Sequence, residues 1–168
     1  DCRDGSPRHH TGGVSTSERL DVAVIGGGPA GAAAAIRAAR AGLRVEVFEK
    51  GPQGRDKVCG DGLTPRAVGA LNELKVPLED AHQIRGLRMI AGKQVRELDW
   101  PTTDRFPNHG AVWPRRRLDA ALMDAAAEAG ARIVYETEAA PVIGDDGRVT
   151  GVRSDGLRIE ADLTVIAA

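Results

Sequence analysis

The sequence predicts an α/β fold with a parallel sheet, and three observations carry that prediction. Val22-Ala23-Val24-Ile25, after Asp21, is a short apolar run of the kind found in strands buried on both faces. Glycines at 26, 28 and 31 follow directly, and alanines through Ala41 then make a small-faced helix that Gly42 is placed to cap. Arg44-Val45-Glu46-Val47-Phe48-Glu49 reads as a second strand and completes a strand–helix–strand unit.

Each glycine of the turn has its own use. Gly26 allows the tight bend, Gly28 lets the backbone approach a pyrophosphate, and Gly31 lets the helix pack closely on the strand. The helix start then aims unpaired N–H groups and about half a positive charge at the phosphates. Glu49 stands roughly 20 residues further on, where a carboxylate accepts hydrogen bonds from ribose hydroxyls. Such a charged bond is worth about 1.5–3 kcal/mol. Its charge repels a 2′-phosphate, so the pocket suits FAD or NAD better than NADP. The expected cofactor contacts of this Rossmann-type unit are Gly26, Gly28, Ala30, Gly31, Glu49 and Lys50. The plain alternative is a βαβ unit that binds nothing.

Composition narrows the classes. At 168 residues the chain is long enough for a substantial core. Its 23 basic and 24 acidic residues are interspersed and leave a net charge of −1, which removes an electrostatic case for nucleic acid. Cys2 and Cys59 form no CxxC pair, which argues against a thiol–disulfide centre, a zinc site or a secreted disulfide framework, and no metal site is expected. His82 and His109 lack acidic or cysteine companions and are expected to be structural or exposed. No apolar run approaches the ~20 residues that span a bilayer, and no signal peptide is evident, so the expected location is cytoplasmic. Residues 1–17 read as a disordered tail, with His9 and His10 solvated. The apolar run Leu163 to Ala168 stops with no turn or polar cap after it, so truncation before a C-terminal half is expected.

After Glu49, Lys50 to Lys57 is a polar loop that leads into Val58-Cys59-Gly60-Asp61-Gly62-Leu63-Thr64-Pro65-Arg66-Ala67. Thr64 is a good N-cap, Pro65 suits the first helical position, and Val68, Leu71 and Leu74 form the apolar stripe. The glycines flanking Asp61 imply a loop held against something flat or against another backbone.

Gly26 to Gly31, Glu49, the Lys57 to Ala67 run and Arg115 together resemble the geranylgeranyl reductase family, part of a larger group of FAD enzymes that includes the aromatic hydroxylases. The likeness is strongest to the menaquinone reductases and covers roughly Leu20 to Ala168. The glycine motif is widely shared; the Lys57 to Pro65 run is the specific part. The resemblance implies FAD as cofactor, NAD(P)H as a candidate electron donor and an isoprenoid lipid as substrate. It further implies peripheral contact with the inner face of a membrane. The implied reaction saturates a carbon–carbon double bond, with hydride from reduced flavin to one carbon and a proton to the other. Cys59, Gly60 and Gly62 would lie at the isoalloxazine end, with Cys59 catalytic. A small buried hydrophobe is the plain reading of that cysteine, and Lys57 is close enough in sequence to lower a thiol pKa. Two other readings stay open: a flavin-dependent aromatic hydroxylase, and a non-catalytic FAD-binding fragment that is inactive and aggregation-prone.

From Ile84 to Ile90 and Gln94 to Trp100 the pattern alternates around Ala91-Gly92-Lys93, which predicts an antiparallel hairpin. By resemblance, residues 84–110 begin a substrate-binding sheet, and residues 18–83 and 111–168 form the N-terminal part of the FAD-binding domain. Leu87, Met89, Leu98 and Trp100 are candidate pocket walls, with core packing the preferred reading. Val112 to Asp119 leads into a helix through Ala129, capped by Gly130. Its basic triplet Arg115-Arg116-Arg117 opposes the helix dipole at a few tenths of a kcal/mol per charge. A bound anion would offset that, and the family's FAD-contacting arginine falls at Arg115. Arg132 to Glu136 reads as a third parallel strand. Residues 139–143, 149–154 and 157–161 form a three-stranded meander, and Asp162 to Ala167 returns to the main sheet. Ala139, again by resemblance, approaches adenine through its backbone.

Overall fold

A computed structural model describes residues 19–168, so the expected tail, with His9, His10 and Cys2, lies outside the described residues. In chain order the elements are β1 (Leu20–Ile25), α1 (Pro29–Arg40), β2 (Val45–Phe48), β3 (Gly62–Leu63), α2 (Pro65–Glu73), β4 (His82–Ile84), β5 (Gly86–Ala91) and β6 (Gln94–Asp99). There follow β7 (Gly110–Val112), α3 (Arg115–Glu128), β8 (Arg132–Val134), β9 (Ala139–Ile143), β10 (Val149–Ser154) and β11 (Leu157–Ile166). Residues 19–53 with Ala126–Ala168 form one compact unit, and Gly54–Ala125 a second.

The first unit is built on a six-stranded sheet in the order β8-β2-β1-β11-β10-β9. Its first four strands are parallel, and β11, β10 and β9 pair antiparallel. This is the expected Rossmann-type βαβ core with its meander. One detail differs: β11 is a single ten-residue strand with no break at Ala161. Its first half pairs β10 and its second half pairs β1, so one strand serves both parts of the sheet. β9 closes one edge, where Pro141, which has no N–H to give a further strand, is well placed.

Side α1 buries Gly31, Ala32, Ala35, Ile36 and Ala39. Small side chains let its axis lie close to the strands. Arg37 and Arg40 in its last turn suit the negative end of the dipole. Gly42, at φ 82°, ends the helix as expected, its N–H donating to the Ala39 carbonyl and that of Leu43 to Ala38. On the meander side, Phe48, Ala23, Ile25, Val134, Val152, Ile159 and Ala161 form one apolar cluster.

In the second unit Thr64 caps α2 as its sequence predicts, its hydroxyl accepting from the Ala67 N–H at 3.3 Å. Val68 and Leu71 are buried beneath it. The hairpin forms as β5 and β6 around Gly92-Lys93. A small sheet β3-β7-β4 joins the loop after Gly60 to the lead-in of α3. The alternation rule does not reveal strands of two or three residues, and these had no signal. Leu87, Met89 and Leu98 are about half exposed, which corrects the core-packing reading. The two-stranded β5–β6 ladder has no second layer within its unit to bury them. Among the described residues no helix is long and apolar enough to cross a membrane.

One buried group is out of keeping with its surroundings. Glu46 on β2 is 2% exposed. Its Oε1 lies 3.4 Å from a guanidinium nitrogen of Arg132 on β8, without the alignment of a hydrogen bond. Burial pushes its carboxyl above the ordinary carboxylate range, and Arg132 only partly opposes this. A pKa raised in the folded state means that folding takes up a proton. Stability is therefore greatest below the ordinary value of 4.5 and falls as pH rises through the raised folded value. Glu46→Gln should remove that slope and stabilise the chain at pH 7, since the neutral amide avoids the cost of holding a desolvated carboxylate that Arg132 only partly offsets. Urea unfolding from pH 4 to 8 checks both. A variant less stable than the parent at neutral pH would make the pair a net asset.

Candidate functional site

The glycine turn in the first unit follows from two steric facts. Gly26 takes φ 99°, and a Cβ there would meet the Ala167 carbonyl oxygen at 2.8 Å. A Cβ on Gly31 would sit 1.9 Å from the Gly26 carbonyl oxygen and 3.1 Å from Val24 Cγ1. Both positions are closed to any other residue. Gly28 is the opposite case. It has an ordinary φ, and a Cβ there meets nothing within 4 Å. No neighbour in the chain requires it to be glycine, and the space beside it is what a pyrophosphate's approach needs.

Gly28 is also the N-cap of α1, with extended backbone and Pro29 at the first helical position. No side chain caps this end and no acidic residue stands in the first turn. The helix's own first turn thus supplies neither a side-chain cap nor an acidic group at the point where the glycine leaves room. Ala30 is exposed on this first turn.

Glu49 is 4% exposed, yet its charge is met by backbone. Oε2 accepts from the Gly27 N–H at 2.7 Å, and Oε1 from the Gly51 N–H at 2.8 Å. Its own N–H donates to the Val134 carbonyl and its carbonyl accepts from Thr137. The carboxylate is therefore fixed beside the glycine turn before any ligand arrives. Lys50, next in sequence, is exposed. Ala139 begins β9, directly across from Ser154. Gly26, Gly28, Ala30, Gly31, Glu49, Lys50 and Ala139 thus all belong to the first unit, and Cys59, Gly60, Gly62 and Arg115 to the second.

In the second unit Cys59 is exposed, so the reading as a small buried hydrophobe is corrected. The backbone N–H of Asp61, and then the Arg115 guanidinium, hold its thiol below the ordinary cysteine range. Gly60 has no neighbour within 4 Å of a built Cβ, and Gly62 only the Gly60 carbonyl at 3.8 Å. Another backbone of this chain is therefore not what those glycines accommodate. The left-handed residue of the loop is Asp61, at φ 54°, between them.

Asp61 is the residue whose role the sequence did not reveal. Its Oδ1 accepts from the Arg115 N–H at 3.0 Å, at the first turn of α3, and its carbonyl accepts from the Trp113 N–H. The carboxylate thus caps a helix distant in sequence. Arg115 also grips Asp119 by two bonds of 2.9 Å, and Arg117 pairs with Asp80 at 3.4 Å. Two of the three arginines, Arg115 and Arg117, are therefore paired from within the chain. An Asp between two glycines, tolerant of the left-handed region, was the available signal. Groups of His, Cys, Asp or Glu able to hold a metal are absent among the described residues. A groove of about 630 Å³ runs along the hairpin of the second unit, lined by His82, Arg85, Leu87, Arg88, Glu97 and Leu98 among others.

Residues 21–167 match the FAD dependent oxidoreductase family. Over 158 residues the chain is 40% identical to a menaquinone reductase of Mycobacterium tuberculosis, covering 92% of this chain and 38% of that protein. It is 36% identical over 140 residues to a digeranylgeranylglycerophospholipid reductase of Thermoplasma volcanium, covering 81% of this chain and 35% of that one. Among solved structures, a geranylgeranyl bacteriochlorophyll reductase-like protein from Thermoplasma acidophilum superposes with TM-score 0.73 at 28% identity, covering 89% of this chain and 39% of that one. The chain thus spans little more than a third of the length of these relatives.

The thiol environment yields a direct test. Arg115→Gln should move the pH profile of Cys59 alkylation by iodoacetamide upward, slowing the reaction at pH 7. The profile should stay below that of an ordinary cysteine, because the larger cause, the Asp61 N–H, is retained. Peptide-resolved mass spectrometry separates Cys59 from Cys2. An unmoved profile would show that the guanidinium does not act on the sulfur.

Proposed function

This chain belongs to the FAD dependent oxidoreductase family, and we propose that it forms the dinucleotide-binding part of a flavoenzyme that saturates a carbon–carbon double bond in an isoprenoid lipid. The observation that carries the cofactor reading is the open space at Gly28, at an uncapped helix start, beside a carboxylate held by Gly27 and Gly51. The residues fit FAD. The first turn of α1, with Ala30 on it, would hold the pyrophosphate. Glu49 retains lone pairs for ribose hydroxyls and its charge disfavours a 2′-phosphate, while Lys50 is exposed next to it and Ala139 would meet adenine through its backbone. In the second unit, Cys59, Gly60 and Gly62 are assigned to the isoalloxazine end, and Arg115 to a contact with FAD.

When bound, reduced flavin supplies the hydride for alkene reduction. The chain's own contribution is binding, placement and a thiol held below its ordinary pKa where a proton has to be managed. The menaquinone and digeranylgeranylglycerophospholipid reductases among the relatives support an isoprenoid substrate. A lipid of that kind places the work at a membrane surface, and NAD(P)H is the candidate donor. The rival in the same flavin group is an aromatic hydroxylase.

Gly28→Val should cut flavin retention at least tenfold while leaving the fold intact, because its side chain enters empty space in the free chain. Absorbance of the purified protein near 450 nm and circular dichroism check this together, and normal flavin content would remove the pyrophosphate assignment. In the protein extended to its relatives' length, a mass gain of two hydrogens on menaquinone without oxygen uptake is the expected product. Oxygen uptake with a hydroxylated product would establish the hydroxylase instead. In that same protein Cys59→Ala should slow reduction more than it weakens FAD binding.

A further inference from the structure

Between β8 and β9 the chain makes a short strap, residues 135–138 leading into Ala139, that none of the assigned contacts explains. Four hydrogen bonds fix it. Near its start the Glu136 N–H donates to the Gly51 carbonyl at 3.1 Å and the Thr137 N–H to the Glu49 carbonyl at 3.0 Å. The Thr137 hydroxyl, in a residue 6% exposed, donates to the Tyr135 carbonyl at 3.0 Å. That bond closes the turn around Glu136, which sits at φ 54°. At the far end the hydroxyl of Ser154, a residue 2% exposed on β10, donates to the Glu138 carbonyl at 3.0 Å.

The last bond has a geometric consequence. The Glu138 carbonyl and the Ala139 N–H belong to one planar trans peptide and point in opposite directions. Holding the carbonyl toward Ser154 therefore aims the Ala139 N–H away from β10, off the edge of the sheet. Two buried hydroxyls thus determine both ends of a segment that carries the Glu49 turn at one end and the Ala139 amide at the other.

We infer that Thr137 and Ser154 are positioning residues for the adenosine half of the dinucleotide: Thr137 through the Glu49 turn that meets the ribose, Ser154 through the Ala139 amide that meets adenine. The inference rests on the FAD reading of the glycine turn. It adds that the adenosine-binding groups are held in place by hydroxyls that do not themselves bind the ligand.

ADP, which carries the adenosine and diphosphate without the flavin, is the probe, titrated calorimetrically into the 168-residue chain well below its melting temperature. Ser154→Ala and Thr137→Val should each weaken ADP binding about fivefold, near the net worth of one neutral hydrogen bond. The hydroxyl-retaining Ser154→Thr and Thr137→Ser should restore most of it. A purely structural role lowers the melting temperature and leaves ADP affinity below it unchanged, and that result overturns the inference. Gly28→Val distinguishes loss of the positioning role from loss of the cofactor site. If the parent chain binds ADP and Gly28→Val does not, while both hydroxyl-lacking variants bind like the parent, the positioning role alone falls. If the parent chain binds neither ADP nor FAD, the cofactor reading falls and takes this inference with it.

Discussion

The constraint on which the first unit depends is the contact of α1 with the turn after β1, where the Gly26 carbonyl faces the α-carbon of Gly31. A built Cβ on Gly31 would sit 1.9 Å from that oxygen, well inside any permitted contact. A missing side chain is thus what sets the distance between helix and strand. From that distance the rest follows. The helix start comes to the carboxyl end of the central parallel strand, Gly27 turns its N–H toward Glu49, and Gly28 is left against open space. Side chains further along α1 are small for the same reason. An Ala at 32 and another at 35, both fully buried, keep the axis at the spacing the glycine pair imposes.

Two buried carboxylates close together in sequence show how differently a sheet can treat a charge. Glu49 lies just beyond β2, where the ladder has ended and backbone N–H groups are available, and two of them converge on it. Charge-assisted bonds of that kind are the strong ones, and they need no side chain to be ordered. Glu46 lies within β2, where the backbone donors are committed to the neighbouring strands, so it meets a side-chain counter-charge instead, Arg132 on the edge strand β8. The end of a parallel strand is therefore the place where a carboxylate can be buried, fixed and still retain lone pairs for a ligand. The middle of the strand is not.

The first unit was largely legible in the sequence because its elements obey strong local rules. β1 carries the apolar run Val22 to Ile25 and α1 ends on a left-handed Gly42, and in the second unit α2 likewise starts on Thr64-Pro65, so pattern and capping name them. Gly26 and Gly31 were legible for the same reason, since steric exclusion leaves glycine as the only choice. The strands of two and three residues in the second unit carry no period to read. The continuity of β11 was hidden because a strand that changes partners halfway looks like two strands with a polar step at Asp162. Long-range polar contacts were the least visible. Nothing near Asp61 announces Arg115, and nothing near Ser154 announces the Glu138 carbonyl, because each bond joins residues brought together only by the sheet.

The capping of α3 bears on what its arginine can do. Taken alone, three arginines at a helix start are an unfavourable charge in search of an anion. In the folded unit Asp61 supplies a carboxylate to the Arg115 N–H, and Asp119 takes two of the guanidinium donors. Arg115 is thereby held by a fork of bonds at 15% side-chain exposure, which a flexible surface arginine is not. A guanidinium has five N–H donors, so two given to Asp119 leave others for the sulfur of Cys59 and for whatever lies beyond it. Internal compensation does not remove the cation as a binding group. It fixes the plane in which the remaining donors point.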